Sequence, residues 1–424
     1  MNQDSKLASK IKAKATRFAS KLSAGCKAVT GRFMQEMLLG IQAAKDVKVS
    51  EIARALGEET GLLSTEIRLC RRLAAEDLSD RINRRIVWEG AGSVTQTTVL
   101  ALDLGDLRKR YAKRMENLAD VRDGSAGEIA RGYWLCGVVA AHPYGDKVTP
   151  LYGELYSAEA EDFESENRQM FRAIEAVREA TEGRGIYAID RGGDRWELLN
   201  FLLNRGLRFV IRQRGDRHLL LEGDRPRRAS AVRHWNRAEE THTVEIERDG
   251  GRERLKLVTR VYAVRLPRRP DEALWLVEIE GFGEEPTLLL TNEPPPEDRS
   301  HGQWILEVYL TRWKVEESYR FLKQAYRLED VRVRSYVALR NIYALAHAVF
   351  YFVSVALGES ARMNLLVKKV CEKAKRFYEV ATFYQYAVAD GIHKILFARP
   401  LAVSPPAPQP KDRQLVFEFA RPPD

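Results

Sequence analysis

The stretch YLTRWKVEESYRFLK places Tyr309, Arg312, Glu316 and Lys323 at spacings of three, four and seven residues. On a helix turning about 100° per residue, these four side chains fall within a stripe of about 60°. One helix face then carries a hydroxyl, two cations and a carboxylate. Such a face can present a metal ligand flanked by groups that suit phosphate oxygens. The same spacing also describes a solvated face on which Arg312 and Glu316 form an ordinary i,i+4 ion pair. The helix alone does not choose between the two readings.

Two aspartates could complete a site. TTVLALDLG reads as a buried strand ending at Asp103, and GIYAID as a short apolar strand that stops at Asp190. Sites in open α/β sheets gather at strand ends, so these carboxylates stand out. Neighbouring acids compete with them. Asp106 lies just past Asp103, and Asp194 reads as the N-cap of the helix RWELLNFLL. Glu317 sits about 100° around the helix from Glu316 and should point elsewhere.

The elements that must position these residues follow from periodicity. After the Asp103 strand come strands at about 133–141 and 147–152, then an amphipathic helix at 163–181. The Asp190 strand, a helix at 195–204 and a strand at 207–212 ending in Arg212 complete the run. Three strands followed by alternation predict an α/β fold, a mixed sheet with helices on its faces. Residues 214–300 alternate as strands and read as a β-rich insertion. Eight arginines lie from Arg212 to Arg237, with Trp235 among them, against three acids. This is either a solvated β-surface or a lobe facing nucleic acid. After Pro294–Pro296 one long helix is expected from about Gly302 to Tyr326, with further helices to about 398. The tail 399–424 is proline-rich and expected to be disordered.

Residues 1–90 read as all-α. Lys6, Lys10, Lys12, Lys14, Arg17, Lys21, Lys27 and Arg32 face a single acid, Asp4, in the first 32 positions. They form either a solvated helix or a basic arm tracking phosphates. Ser50 is expected to cap a helix that Gly57 closes, and a second helix follows at about 63–75. A helix, a turn and a second helix bearing Arg68, Arg71 and Arg72 fit a helix-turn-helix-like DNA-binding unit.

The 424-residue chain is basic, at +9 with pI near 9.2, which suits a polyanionic partner. Cys26, Cys70, Cys136 and Cys371 form no CxxC pair, and the seven histidines show no ligand spacing. Neither a zinc ribbon nor a disulfide framework is therefore suggested, and isolated thiols suit a reducing cytoplasm. The apolar run Asn341–Leu357 imitates a membrane span. With Asn341 and His347 inside it, it reads as a buried core helix, and no membrane partner is expected.

Tyr-x2-Arg-x3-Glu-x6-Lys resembles the YREK signature of a branch of bacterial insertion-sequence transposases, insertion sequence family four. The resemblance extends to an Asp at a strand end, in ALDLGD, and an Asp in a D-R-G segment after a short strand, in YAIDRGGD. It covers roughly residues 33–360. It implies a ribonuclease H-like core over 91–213 and 301–398, interrupted by the insertion at 214–300. It also implies a DDE triad on Asp103, Asp190 and Glu316. By the same resemblance Tyr309, Arg312 and Lys323 hold phosphates at the cleaved DNA end, with Arg212 a further candidate.

The residue types suit that chemistry. Two divalent ions about 3.5–4 Å apart can serve the attacking and leaving oxygens of an in-line phosphoryl displacement. Mg²⁺, with Mn²⁺ as substitute, prefers carboxylates and water. Asp103 is expected to bridge both ions, with Asp190 and Glu316 each holding one, in a site that stays loose until metal relieves the repulsion. The implied reaction is cleavage at transposon ends and strand transfer into target DNA, cut-and-paste through a hairpin, by a homodimer on double-stranded DNA. Relatives that form hairpins often carry a tryptophan just before the LLLT-like strand, but Thr287 occupies that position here, leaving Trp275 or Trp235 as substitutes. An inactive DNA-binding derivative and a nuclease without strand transfer are the competing readings.

Overall fold

The computed structural model describes residues 3–109, 112–122, 127–221, 225–234, 238–248, 251–365, 384–397 and 401. Its sheet grows outward from β1 (Val99–Arg108), whose leading residues are apolar and fully buried. β3 (Ile129–Ala141) pairs antiparallel along one side of β1, and β5 (Ile186–Ile189) pairs parallel along the other. β4 (Val148–Tyr156) lies antiparallel to β3, and β6 (Arg208–Arg212) parallel to β5. The core order is thus β4-β3-β1-β5-β6, the arrangement of a ribonuclease H-like mixed sheet. A short β2 (Ala119–Arg122), which periodicity does not indicate, pairs with the start of β3.

Periodicity ends the first strand at Asp103, but β1 continues to Arg108. What stops near Asp103 is its parallel partner, because β5 ends at Ile189. Beyond β6 the sheet does not close. β12 (Thr287–Thr291) pairs antiparallel with β6, followed by β11 (Arg269–Glu280) and β10 (Gly251–Leu266). β9 (Glu240–Arg248) and the small hairpin of β7 (His218–Leu220) and β8 (Pro226–Arg228) flank β10. The strands of 214–300 therefore extend the core sheet and cover the edge that β6 would otherwise leave unpaired. Trp235, the span 366–383 and the tail 402–424 lie outside the described residues.

Helices cover both faces. α6 (Glu166–Thr181), capped by the Ser165 hydroxyl, and α7 (Trp196–Asn204) pack over Leu100, Leu102 and Ile189. Asp194 is not the cap of α7, since Arg195 takes that position. Asp194 instead accepts the Arg214 backbone N–H at 2.8 Å and Nε of Arg217 at 2.6 Å. On the other face, α8 (His301–Thr311) lies against β5 and β6, and α9 (Trp313–Ala325) against β1 and β3. These replace the single helix expected at 302–326. The break falls at Arg312, where Arg312 N–H bonds to Tyr309 O and Val315 N–H to Arg312 O. Both closures span three residues, a local 3₁₀ tightening that divides the helix.

The N-terminal helices are α1 (Gln3–Leu22), α2 (Ala28–Ala44), α3 (Val49–Leu56), α4 (Leu62–Ala75) and α5 (Ser79–Ala91). The basic tract is no free arm. Ile11, Ala15, Phe18 and Leu22 recur at helical spacing and are buried, so α1 docks by one face with its lysines on the other. Ser50 sits inside the first turn of α3, and Lys48 precedes the helix where a cap was expected. Gly57 closes it in the left-handed region, at φ 60. α10 (Tyr336–Tyr351) runs on through Phe352–Ala356 as one apolar segment, packed against β4, α2, α4 and α5. The final described helices are α11 (Glu359–Leu365) and α12 (Gln385–Phe397).

Asn341 explains why a polar residue occupies the middle of α10. Its side-chain oxygen accepts Leu78 N–H at 2.7 Å, and its amide donates to Leu73 O and Glu76 O at 2.8 and 2.7 Å. One side chain thereby satisfies the chain between α4 and α5. Asn341→Leu would strip these partners, at roughly 1–3 kcal/mol for each group left dry. The expected outcome is a urea midpoint clearly below that of wild type; an unchanged midpoint would refute this clamp.

Candidate active site

The register of β1 and β5 builds the site. Leu102 pairs with Ile189, the last pair of the parallel ladder. Asp103 and Asp190 are each one residue further on, so they stand side by side at a spacing near the ~4.8 Å between strands. By alternation both lie on the face covered by α8 and α9, because Ala101 and Ala188 share that parity and pack away from α6. The Asp190 carboxylate also accepts Gly192 N–H at 2.8 Å, capping the turn after β5.

Glu316 comes from the first turn of α9. It is tied to Arg312, whose Nη2 donates to its carboxylate at 2.6 Å. The pair is unequal: the Arg312 side chain is 8% exposed and that of Glu316 46%. The guanidinium also lies 5.6 Å from the ring centre of Tyr309, which is itself buried. The simple i,i+4 ion pair is thus present, with Arg312 turned inward between Glu316 and Asp103.

Charge is costly here. Burial pushes the Asp103 carboxyl up to about 7; Arg312 opposes the rise, while Asp190 and Glu316 add to it. Burial also works against the Arg312 charge, but Asp103 and Glu316 more than offset it and hold that guanidinium above its ordinary value. The donor set is three hard carboxylates, one of which strains to ionise beside the others. That is the chemistry a divalent cation relieves. Among the described residues no three His, Cys, Asp or Glu side chains are already gathered around one point. Glu316 would have to leave Arg312 to join the aspartates on an ion.

Tyr319, which no sequence motif marks, fixes α9 on the sheet. Its hydroxyl donates to the backbone carbonyl of Asp103 at 2.8 Å. Gly137, the cross-strand partner of Asp103, and Gly105 make room for its ring. A Cβ at Gly137 would come within 2.6 Å of the hydroxyl, and one at Gly105 within 2.9 Å of the ring. Two small residues on one face of neighbouring strands were the available signal. A cavity of about 770 Å³ also reaches both aspartates, lined by Trp134, Arg122, Arg191 and Arg214. Sequence reasoning had singled out none of these four.

The remaining candidates are distributed differently. Lys323 is paired with Asp106 at 3.1 Å and Glu329 at 3.4 Å. Arg212 ends β6 on the α8 face, by its parity with Val210. Arg68 is drawn inward to the buried Glu36 at 2.6 Å and to Glu58 at 2.9 Å, which leaves it a structural ion pair. Arg71 and Arg72 are exposed on the outer face of α4.

Residues 156–351 match the family model described as Transposase DDE domain. The match takes in Asp190, Tyr309, Arg312, Glu316 and Lys323, and begins after Asp103. That segment is thus similar to a transposase DDE domain. No curated protein sequence matches the chain. A cryo-EM structure of the piggyBac transposase synaptic complex with hairpin DNA aligns over 94% of this chain and 78% of its own, at 11% identity and a TM-score of 0.44. At that distance the likeness decides nothing about the site.

The raised Asp103 carboxyl has a testable sign. Between the unfolded value of about 4 and the folded value of about 7, the native state binds more protons than the unfolded chain. Stability therefore falls as pH rises through that window. In EDTA, Asp103→Asn should melt higher than wild type at pH 8, and the gap should close towards pH 4. Divalent ions should stabilise wild type and leave the variant unmoved. A variant that melts lower than wild type in EDTA at every pH would contradict this account.

Proposed function

We propose that this chain cuts DNA at the ends of an insertion sequence and joins the freed 3′-hydroxyl to target DNA, using Asp103, Asp190 and Glu316. The observation that carries the reading is the pair of strand-end aspartates facing Arg312 and Glu316 beside a matched transposase DDE domain. The three carboxylates would hold two divalent ions, Mg²⁺ by preference, which supply activation of the attacking oxygen and stabilisation of the leaving one.

The chain's own residues do the rest. Asp103 sits where its charge is unwelcome alone and becomes favourable once positive charge is added. Arg312 stays beside the aspartates when Glu316 turns away, and its guanidinium then faces phosphate oxygens. The Tyr309 ring backs that guanidinium. Lys323 exchanges Asp106 and Glu329 for a phosphate. The spacing of these four residues supports placement in the YREK branch of insertion sequence family four, with cut-and-paste through a hairpin and a dimer holding two ends. Trp275, edge-on to His301 at 5.2 Å, is the described tryptophan nearest in sequence to β12 that could serve an unpaired base, since Thr287 is buried.

The test is cleavage of DNA carrying the element's ends, taken from the genomic flanks of its reading frame. Wild type should cut with Mg²⁺ or Mn²⁺ and not in EDTA, and yield joined products on added target. Glu316→Ala should reduce cutting to background, and Asp103→Asn should do so while still binding the ends. Equal cutting by wild type and Glu316→Ala would remove Glu316 from the site. Binding without cutting by any of them would mark a disabled derivative, and cutting without joined products a nuclease.

A further inference from the structure

The far end of β1 and the connection between α9 and α10 form the two lips of a cavity of about 590 Å³. Arg108, Lys113 and Arg114 stand on one lip, and Arg332 and Arg334 on the other. Lys113, Arg114, Arg332 and Arg334 are exposed, and none of these four has an ion-pair partner among the described residues. Of the acids nearby, Glu329 pairs with Lys323 and the Glu116 carboxylate accepts Tyr336 N–H at 2.8 Å, while Asp330 is exposed on the same lining, so six cations face two carboxylates there.

The lips are fixed to each other. Lys109 is buried, and its ammonium donates to the carbonyls of Leu328, Glu329 and Val331 at 3.2, 2.7 and 3.3 Å. Burial pushes its pKa down to about 7, against the pull of Glu329 and Asp330. Glu116 N–H donates to Arg334 O at 3.0 Å, and the Tyr133 hydroxyl donates to Glu116 O at 2.6 Å. A buried lysine spent wholly on carbonyls holds the loop in place and presents its arginines on a rigid base.

A second cavity, of about 430 Å³, shares Val331, Arg332 and Arg334 with the first and is walled by α3 and α4. A concave path lined by Lys48, Arg332 and Arg334, with Glu66 as the acid on its wall, therefore leads from the N-terminal helices to the bay. From there Glu329 and Lys323 connect it to Asp106, on the same strand as Asp103. The described lining residues of both cavities include no aromatic side chain. Unstacked bases need such platforms, whereas a surplus of cations suits a duplex backbone.

We propose that this bay grips the phosphate backbone of duplex DNA between the N-terminal helices and the carboxylate site, without reading sequence. The proposal rests on the reading that the chain works on DNA. It is tested by anisotropy with a labelled duplex of about 30 bp and arbitrary sequence, in EDTA, across about 50–200 mM salt. The double variant Arg332→Gln/Arg334→Gln should lower the slope of log K against log salt by up to about 2, near 0.9 for each phosphate that is no longer neutralised. Lys147→Gln/Arg168→Gln, an equal charge change elsewhere on the surface, should leave the slope unchanged. Equal slopes for wild type and the bay variant would overturn the bay and leave the DNA reading standing. A weakening confined to duplexes carrying the element's ends would also overturn it, since a backbone grip is blind to sequence. Wild type that binds no duplex of either kind would overturn both.

Discussion

Two carboxylates are set side by side because two parallel strands are in register. The pairing of Leu102 with Ile189 commits Asp103 and Asp190 to neighbouring positions, and no rotamer choice can separate them far. Like charges held this way repel, and the sheet's burial makes the repulsion more expensive than in water. Much of what surrounds them can be understood as an answer to that cost. Arg312 faces them, Glu316 is held outward, and a raised carboxyl at Asp103 lets one negative charge be absent.

Arg312 is the counterion that makes this arrangement stable as a fold. It occupies the break between α8 and α9, where a tightened turn redirects the chain. A straight helix would keep Tyr309 and Glu316 on one continuous stripe. The break instead lets Tyr309 belong to the core beneath α8 while Glu316 reaches the solvent side of α9. The buried Nε of Arg312 has no hydrogen-bond partner among the described residues, so the guanidinium is not fully satisfied by Glu316. A group held charged, buried and incompletely bonded beside carboxylates is suited to exchange partners, which a purely structural ion pair is not.

The strand-end aspartates and the helix face were legible in the sequence because both depend on local periodicity. The β1 and β5 strands read as apolar runs, and a fixed spacing defines Tyr309, Arg312, Glu316 and Lys323. What was not legible depended on tertiary partners. Nothing local marks Arg68 as inward-facing; the buried Glu36, 32 residues away, decides it. Tyr319 reads as a helix aromatic until Gly105 and Gly137 are seen on adjacent strands beneath it. The helix break at Arg312 has no proline or glycine to announce it, so periodicity carried one helix straight through. The basic N-terminal tract reads as either a solvated helix or a basic arm, and its buried apolar face, less conspicuous than its lysines, decides for the helix.

The strands of 214–300 also bear on the site, through the start of α8. The His301 ring nitrogen lies 2.9 Å from the carbonyl of Glu293, and Trp304 Nε1 donates to the Glu293 carboxylate at 3.2 Å. Glu293 lies two residues past the end of β12, and its N–H donates to the hydroxyl of Thr291, the last residue of that strand, at 2.9 Å. Trp275 on β11 meets His301 edge-on. The first turn of α8 is therefore anchored to β11 and β12, while its last turn delivers Tyr309 and Arg312 to the aspartates. A displacement of the outer strands would tilt that helix about its far end and shift Arg312 relative to β1. The outer strands are thus part of what holds the Arg312 end of α8 in register with β1.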